Sequence, residues 1–216
     1  VIGYLSGSVM YSLLIPKLFY GLDVRRQDGD KNPGAFNAIH AVGAPVGAIC
    51  LSLDMLKAFT PVFLAVSVAH VSGFSLIPVM LAPVLGHAFP LMFRFRGGKA
   101  ISAAGGSLLG TLSISHAALV VISTMLFFQF ICDIRPNSAK MIASFVISCI
   151  LIVAFEPLME MKAAMVLMSV LVCVKLAVNP NDGELSVKIW RMVFGRRSAH
   201  TDEESEAEDA YSGSAK

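Results

Sequence analysis

Residues 58–93 read AFTPVFLAVSVAHVSGFSLIPVMLAPVLGHAFPLMF, with no Lys, Arg, Asp or Glu among them. A bilayer core takes about 20 apolar residues per helix, so this stretch supplies one full span over 73–93 and a shorter apolar piece over 58–70. Residues 101–132 and 141–155 are equally free of charge. The whole chain agrees with them. Of 216 residues, 56% are hydrophobic and 15% charged, where a typical soluble domain carries about 25% charge. Mean hydropathy is +0.71. A soluble domain of this size keeps too much surface wet to hide so much apolar side chain. The chain therefore reads as an all-α, polytopic integral membrane helix bundle.

Outward from that stretch, about seven spans are expected, over 1–20, 40–70, 73–93, 100–115, 116–132, 139–156 and 160–178. Asp54 and Lys57 interrupt the second. They lie three apart on one helical face, and so either pair on a long tilted helix or mark its watery end; one helix over 40–70 is taken. Basic residues cluster at 25–31 (Arg25, Arg26, Lys31), 94–99 (Arg94, Arg96, Lys99) and 188–197 (Lys188, Arg191, Arg196, Arg197). With seven spans all three clusters share one face, which the positive-inside rule makes cytoplasmic, leaving the N-terminus outside and the C-terminus inside. Splitting 40–70 would put the first cluster on the other side. The opening at Val1, with no Met and no basic leader, does not read as a signal peptide, and the first apolar run is kept as a span.

Residues 1–185 thus form the transmembrane domain, 186–200 a basic interfacial segment and 201–216 an acidic disordered tail. Val187, Ile189, Trp190, Val193 and Phe194 among Lys188 and Arg191 suit an amphipathic helix over 186–195. Asp202, Glu203, Glu204, Glu206, Glu208 and Asp209 mark the tail as a solvating segment. Cys50, Cys132, Cys149 and Cys173 sit in or beside apolar runs and read as buried thiols. The glycine pairs 3/7, 43/47 and 106/110 have the spacing of close helix crossings.

Chemistry is concentrated in two loops. In the first, Gly29 and Gly34 allow backbone N–H groups to converge on an anion, Pro33 stiffens the turn, Asn32 and Asn37 offer neutral donors, and Arg25 and Lys31 offer charge. An ordinary polar turn has the same ingredients. In the second, Arg94 and Arg96 alternate with Phe93 and Phe95. Gly97 and Gly98 then expose backbone donors, and Lys99 stands at the start of the next helix, where free N–H groups favour anions. A positive-inside anchor would need the basic residues but not the Gly-Gly-Lys turn behind His87 and Pro90. It is not a nucleotide P-loop, because Ala100 stands where Ser or Thr is required. The five histidines are scattered without ligand spacing, so neither a metal nor another cofactor is expected.

These residues resemble the bacterial membrane acyltransferases that pass an acyl group from acyl-phosphate to glycerol 3-phosphate, the PlsY family. Gly7-Ser8, Leu14-Ile15-Pro16-Lys17-Leu18 and Gly21-Leu22-Asp23-Val24-Arg25 look like that family's opening motif. Gly29-Asp30-Lys31-Asn32-Pro33-Gly34-Ala35-Phe36-Asn37 is similar to its Gly-Ser-Gly-Asn-x-Gly-Ala-Thr-Asn loop. Leu85-Gly86-His87, Phe89-Pro90 and Phe95-Arg96-Gly97-Gly98-Lys99 are similar to its Leu-Gly-His-x-Phe-Pro and Phe-Lys-Gly-Gly-Lys-Gly motif, and Leu53-Asp54 with Lys57 fits its Leu-Asp-x-x-Lys run. The resemblance covers about the first 110 residues and departs at three places. Asp30-Lys31 replaces a Ser between glycines, His40 falls on a family Arg, and a His-Arg-Glu-Asn motif near the C-terminus is not recognisable.

The resemblance implies a membrane enzyme of phospholipid synthesis in a bacterial cell membrane, with its site loops on the cytoplasmic face. Acyl-phosphate and glycerol 3-phosphate would be its substrates, lipid its surroundings, and nucleic acid no partner. Lys99 would hold phosphate; Asn32, Gly34, Asn37, Arg96, Gly97 and Gly98 would line the pocket; Asp30, His40 and His87 are candidates for handling protons or substrate. The acyl donor is already activated, so the site has chiefly to position reactants and neutralise charge, without an acyl-enzyme. A relative acylating another phosphorylated acceptor, or a non-enzymatic anion or phospholipid carrier, would use the same loops.

Overall fold

The computed structural model describes residues 1–26, 31–178 and 186–189. Asp30, the remainder of the expected interfacial segment and the acidic tail lie outside them. The described chain is helical apart from one two-stranded ribbon. Among the described residues four stretches are long and apolar enough to cross a bilayer: Ala44–Ser67, Gly73–Phe93, Asn137–Phe155 and Met159–Val178. The regions expected as spans over 1–20, 100–115 and 116–132 contain shorter helices.

The first of these regions is broken. Helix α1 (Ile2–Gly7) and helix α2 (Tyr11–Tyr20) are separated at Ser8–Met10. A break in apolar surroundings leaves carbonyls that water cannot reach, and each must find a donor inside the protein. The Val9 carbonyl finds Lys57 Nζ, and Ser8 Oγ bonds the Tyr4 carbonyl at 2.8 Å. Helix α2 ends at Gly21, whose φ of 68° is the left-handed cap that glycine supplies without strain. A 3-10 turn over Val24–Arg26 follows.

Helix α3 (Ala35–Val42) turns through Gly43, φ 98°, into helix α4 (Ala44–Ser67). Residues 44–67 are one continuous helix, as expected, though it begins after Gly43 rather than at residue 40. Asp54 and Lys57 do not mark a watery end. Their side chains meet at 2.7 Å and are almost wholly buried; Lys57 reaches the break between α1 and α2, and Ser12 Oγ, in the first turn of α2, donates to Asp54 Oδ2.

Helix α5 (Leu76–Ala88) is followed by α6 (Ile101–Leu109) and α7 (Ala117–Phe130). Strand β1 (Cys132–Arg135), α8 (Asn137–Phe155), α9 (Met159–Val178) and strand β2 (Ser186–Ile189) complete the described chain. The amphipathic helix expected over 186–195 is corrected where it can be seen. Residues 186–189 pair antiparallel with β1, Cys132 opposite Ile189 and Arg135 opposite Ser186. Ser-Val-Lys-Ile alternates polar and apolar residues with the period of two that suits a strand.

The main core joins α4 through α9 around Leu76, Met80, Leu108, Phe145, Ile152, Met165 and Leu176. Glycines set the closest crossings. A Cβ on Gly7 would collide with the Pro83 backbone, one on Gly86 with the Tyr4 carbonyl, and one on Gly106 with the Met55 backbone. The spacings at 3/7 and 106/110 are therefore packing devices, between α1 and α5 and between α4 and α6. Gly47 instead lets α4 turn back against Ile39 of α3. The cysteines are free thiols; Cys50 is buried and the other three partly so.

Candidate functional site

The two loops singled out in the sequence meet at one end of the bundle. Between them lies a cavity of about 460 Å³, within the ~300–1,000 Å³ typical of small-molecule sites. The first loop contributes Arg25, Lys31, Asn32 and Pro33; the second contributes Phe95, Arg96, Gly97, Gly98 and Lys99; and α9 contributes Lys175. Arg25, Lys31, Arg96, Lys99 and Lys175 give the walls a strongly positive character, which concentrates anions.

In the first loop Arg25 is oriented by Asp23. Its Nε and Nη2 donate to the two carboxylate oxygens at 2.9 and 2.6 Å, and its backbone N–H reaches Oδ1 at 3.1 Å. The guanidinium holds the Asp23 carboxyl down at about 2 against its usual 3.8, and Asp23 in turn raises the Arg25 pKa. Lys31 takes the left-handed conformation, φ 51°. Asn37, buried on α3, donates to the Asn32 carbonyl at 2.9 Å and so ties the loop to the helix that follows it. Gly34 is extended and caps α3. What that position requires is small size, because a Cβ would press on the Asn32 amide.

The second loop is built on the end of α5. Carbonyls in the last turn of a helix lack intrahelical partners, and here each of three finds one elsewhere. His87 O accepts from Gly98 N–H at 3.1 Å, Ala88 O from Lys175 Nζ at 3.1 Å, and Phe89 O from Tyr4 Oη at 2.6 Å. The Gly98 donor expected to face an anion is thus given to His87. Gly97 and Gly98 are needed for space: a Cβ on the first would strike the His87 and Ala88 carbonyls, and on the second the His87 ring. Lys99 is 7% exposed and sits two residues before α6. It and Asn32 also border a second cavity of about 60 Å³, lined further by Phe36, Asn37, Ile101, Asn137 and Leu176.

The structure therefore brings together Asn32, Arg96, Gly97, Gly98 and Lys99, with Asn37 in the adjoining space. His87 is buried behind the Gly97-Gly98 turn rather than on the cavity wall, and its Nδ1 meets no hydrogen-bonding partner among the described residues. His40 is exposed on α3 and packs on Phe36, with ring centroids 4.3 Å apart; it lines neither cavity. Asp30 lies outside the described residues. Lys175 and Asn137 were not anticipated. A lysine near the end of an apolar span is a signal that would have found the first; nothing in the local sequence marks the second.

A family model described as glycerol-3-phosphate acyltransferase matches residues 1–182. The chain is 46% identical over 108 residues to glycerol-3-phosphate acyltransferase 2 of Thermotoga maritima, a match covering 49% of this chain and 53% of that protein. It is 36% identical over 130 residues to glycerol-3-phosphate acyltransferase 2 of Bacillus cereus, covering 59% and 63%. The chain thus spans about half the length of the first of these relatives. Its fold is similar to the crystal structure of PlsY (YgiH), an integral membrane glycerol 3-phosphate acyltransferase, in its glycerol 3-phosphate form. That likeness has a TM-score of 0.72 at 28% identity and covers 90% of both chains. The lysophosphatidic acid form of the same protein matches with a TM-score of 0.70 at 26% identity.

Proposed function

The chain belongs to the glycerol-3-phosphate acyltransferase family, and on that premise we propose that it moves a fatty acyl group from acyl-phosphate to glycerol 3-phosphate. The observation that carries this is the single basic cavity shared by Lys31 and Asn32 of one loop and Arg96 and Lys99 of the other. Its walls hold cations, amides and glycines, which suit two phosphate-bearing reactants. The similar structures are named for glycerol 3-phosphate and lysophosphatidic acid, a substrate and the product of this reaction.

In the proposed reaction a hydroxyl oxygen of glycerol 3-phosphate adds to the acyl carbonyl carbon. The bond from that carbon to the phosphate oxygen breaks, and the hydroxyl proton leaves with the phosphate. Lys99 and Arg96 neutralise phosphate charge as it grows on the leaving group. Arg25, held by Asp23, and Asn32 orient the acceptor, and Asn37 keeps Asn32 in place. Asp30, next to Lys31, is the proposed proton relay. His40 is left out of this scheme because it is not among the residues that line either cavity, and His87 is assigned to supporting the Gly97-Gly98 turn. Seven crossings with the N-terminus outside and the loops on the cytoplasmic face of a bacterial membrane complete the proposal, supported by the distribution of basic residues.

The test is an assay of the purified protein with acyl-phosphate and glycerol 3-phosphate beside Lys99→Met. Wild type should form lysophosphatidate and inorganic phosphate. The variant should lose about 100-fold or more in kcat/KM, the scale on which one stabilising donor acts in a closed site. A folded wild type that makes no lysophosphatidate refutes the proposal.

A further inference from the structure

Lys175 lies in the last turn of α9, a 20-residue apolar helix. Charged residues in such segments are rare and stay only where something compensates them. Among the described residues its partners are two carbonyls and a ring: Ala88 O at 3.1 Å, Gly97 O at 3.5 Å, and the face of Phe89 at 4.9 Å from the centroid. No carboxylate of the described residues pairs with it; Asp23 and Asp54 serve Arg25 and Lys57. An ammonium carries three N–H donors, and the two carbonyls take two. Lys175 also lines the basic cavity beside Arg96 and Lys99.

We propose that Lys175 is a phosphate-contacting residue of this cavity, its ammonium held at the wall by the Ala88 and Gly97 carbonyls and its remaining N–H given to the bound phosphate. Capping the end of α5 alone would need a donor but no charge. A cation at this point, with no acid beside it among the described residues, is suited to an anion as its counter-charge. The inference takes from the acyl-transfer reading only the kind of phosphate ester or anhydride that enters. Because the ammonium also holds Gly97, it fixes the turn that carries Lys99, and both phosphate-holding lysines then act on one ligand.

The experiment titrates inorganic phosphate into the purified full chain and follows its melting temperature, with chloride at equal ionic strength as reference. It compares wild type with Lys175→Met, Lys175→Gln and Lys175→Arg. Gln still offers donors to the carbonyls, so it separates capping from charge if the Met variant does not fold. Loss of a charge-assisted hydrogen bond should raise the half-saturating phosphate about tenfold or more in Met and Gln, and Arg should recover most of it. In the acyl-transfer assay the same variants should raise KM for whichever substrate presents its phosphate to Lys175, with a smaller change in kcat. An unchanged phosphate midpoint in the Gln variant, or a wild type that does not respond to phosphate, overturns the proposal. A wild type that binds phosphate through Lys175 but makes no lysophosphatidate refutes the acyl-transfer reading alone.

Discussion

The Asp23–Arg25 pair at the cavity edge ties the geometry of one residue to an effect of pH. The folded-state pKa of Asp23, about 2, lies below its ordinary 3.8. Its contribution to stability is therefore complete above 3.8 and is lost as pH falls through about 2. The Arg25 side chain is 38% exposed, so solvent screens the pair and the contribution should be no more than about 1 kcal/mol. Acid titration of the melting temperature should show Asp23→Asn below wild type at neutral pH, with the two curves converging near pH 2. A constant gap down to that pH would show that the carboxylate charge is not what matters. At this scale the lining of the candidate cavity was legible wherever its residues are neighbours in sequence. Asn32 and the Arg96–Lys99 run were found because glycines and cations crowd together there. Lys175 was missed because it stands alone in an apolar run and joins the site only when α9 packs beside α5. His40 matches a motif position but packs on Phe36 and borders neither cavity, because a position in a motif does not by itself place a side chain on a cavity wall.

Among elements, the buried Asp54–Lys57 pair links α4 to the broken segment formed by α1 and α2. Removing one member leaves the other uncompensated in apolar surroundings, and such changes cost about 3–5 kcal/mol. Lys57→Met also strips the Val9 carbonyl of its donor. Asp54→Leu and Lys57→Met should therefore each be strongly destabilising, and the double variant less so than the sum of the two. Denaturation in mixed micelles measures this, and strict additivity would mean that the pair does not act as a unit. The same region shows what hydropathy can and cannot reveal. Charge-free stretches pointed to the helices over 73–93 and 137–155, an apolar run broken only by Glu160, Lys162 and Lys175 pointed to that over 159–178, and residues 44–67 form one continuous helix that Asp54 and Lys57 do not divide. The break at Ser8–Met10 was invisible, because it depends on a donor 48 residues away that satisfies Val9. The strand at Ser186–Ile189 was also missed: its partner is Cys132–Arg135, and pairing at that distance leaves no local mark.

For the whole molecule, the proposed orientation can be tested by labelling. With the loops inside, a cysteine placed at Arg26 should react with an impermeant thiol reagent only after the cells are opened. One placed at exposed Ser72, between Ala44–Ser67 and Gly73–Phe93, should react in intact cells. The reverse pattern would invert the topology. Both loops line one cavity, so an even number of crossings must separate them, and Ala44–Ser67 and Gly73–Phe93 supply two. The way the end of α5 is finished bears on synthesis as well. Tyr4, made first, waits for the Phe89 carbonyl, and the Ala88 carbonyl beside it waits for Lys175, at the far end of the described bundle. A ribosome releases these groups in that order. The growing chain therefore carries both basic loops while the floor beneath them is still unfinished, and the cavity closes only when α9 has been threaded into the bilayer.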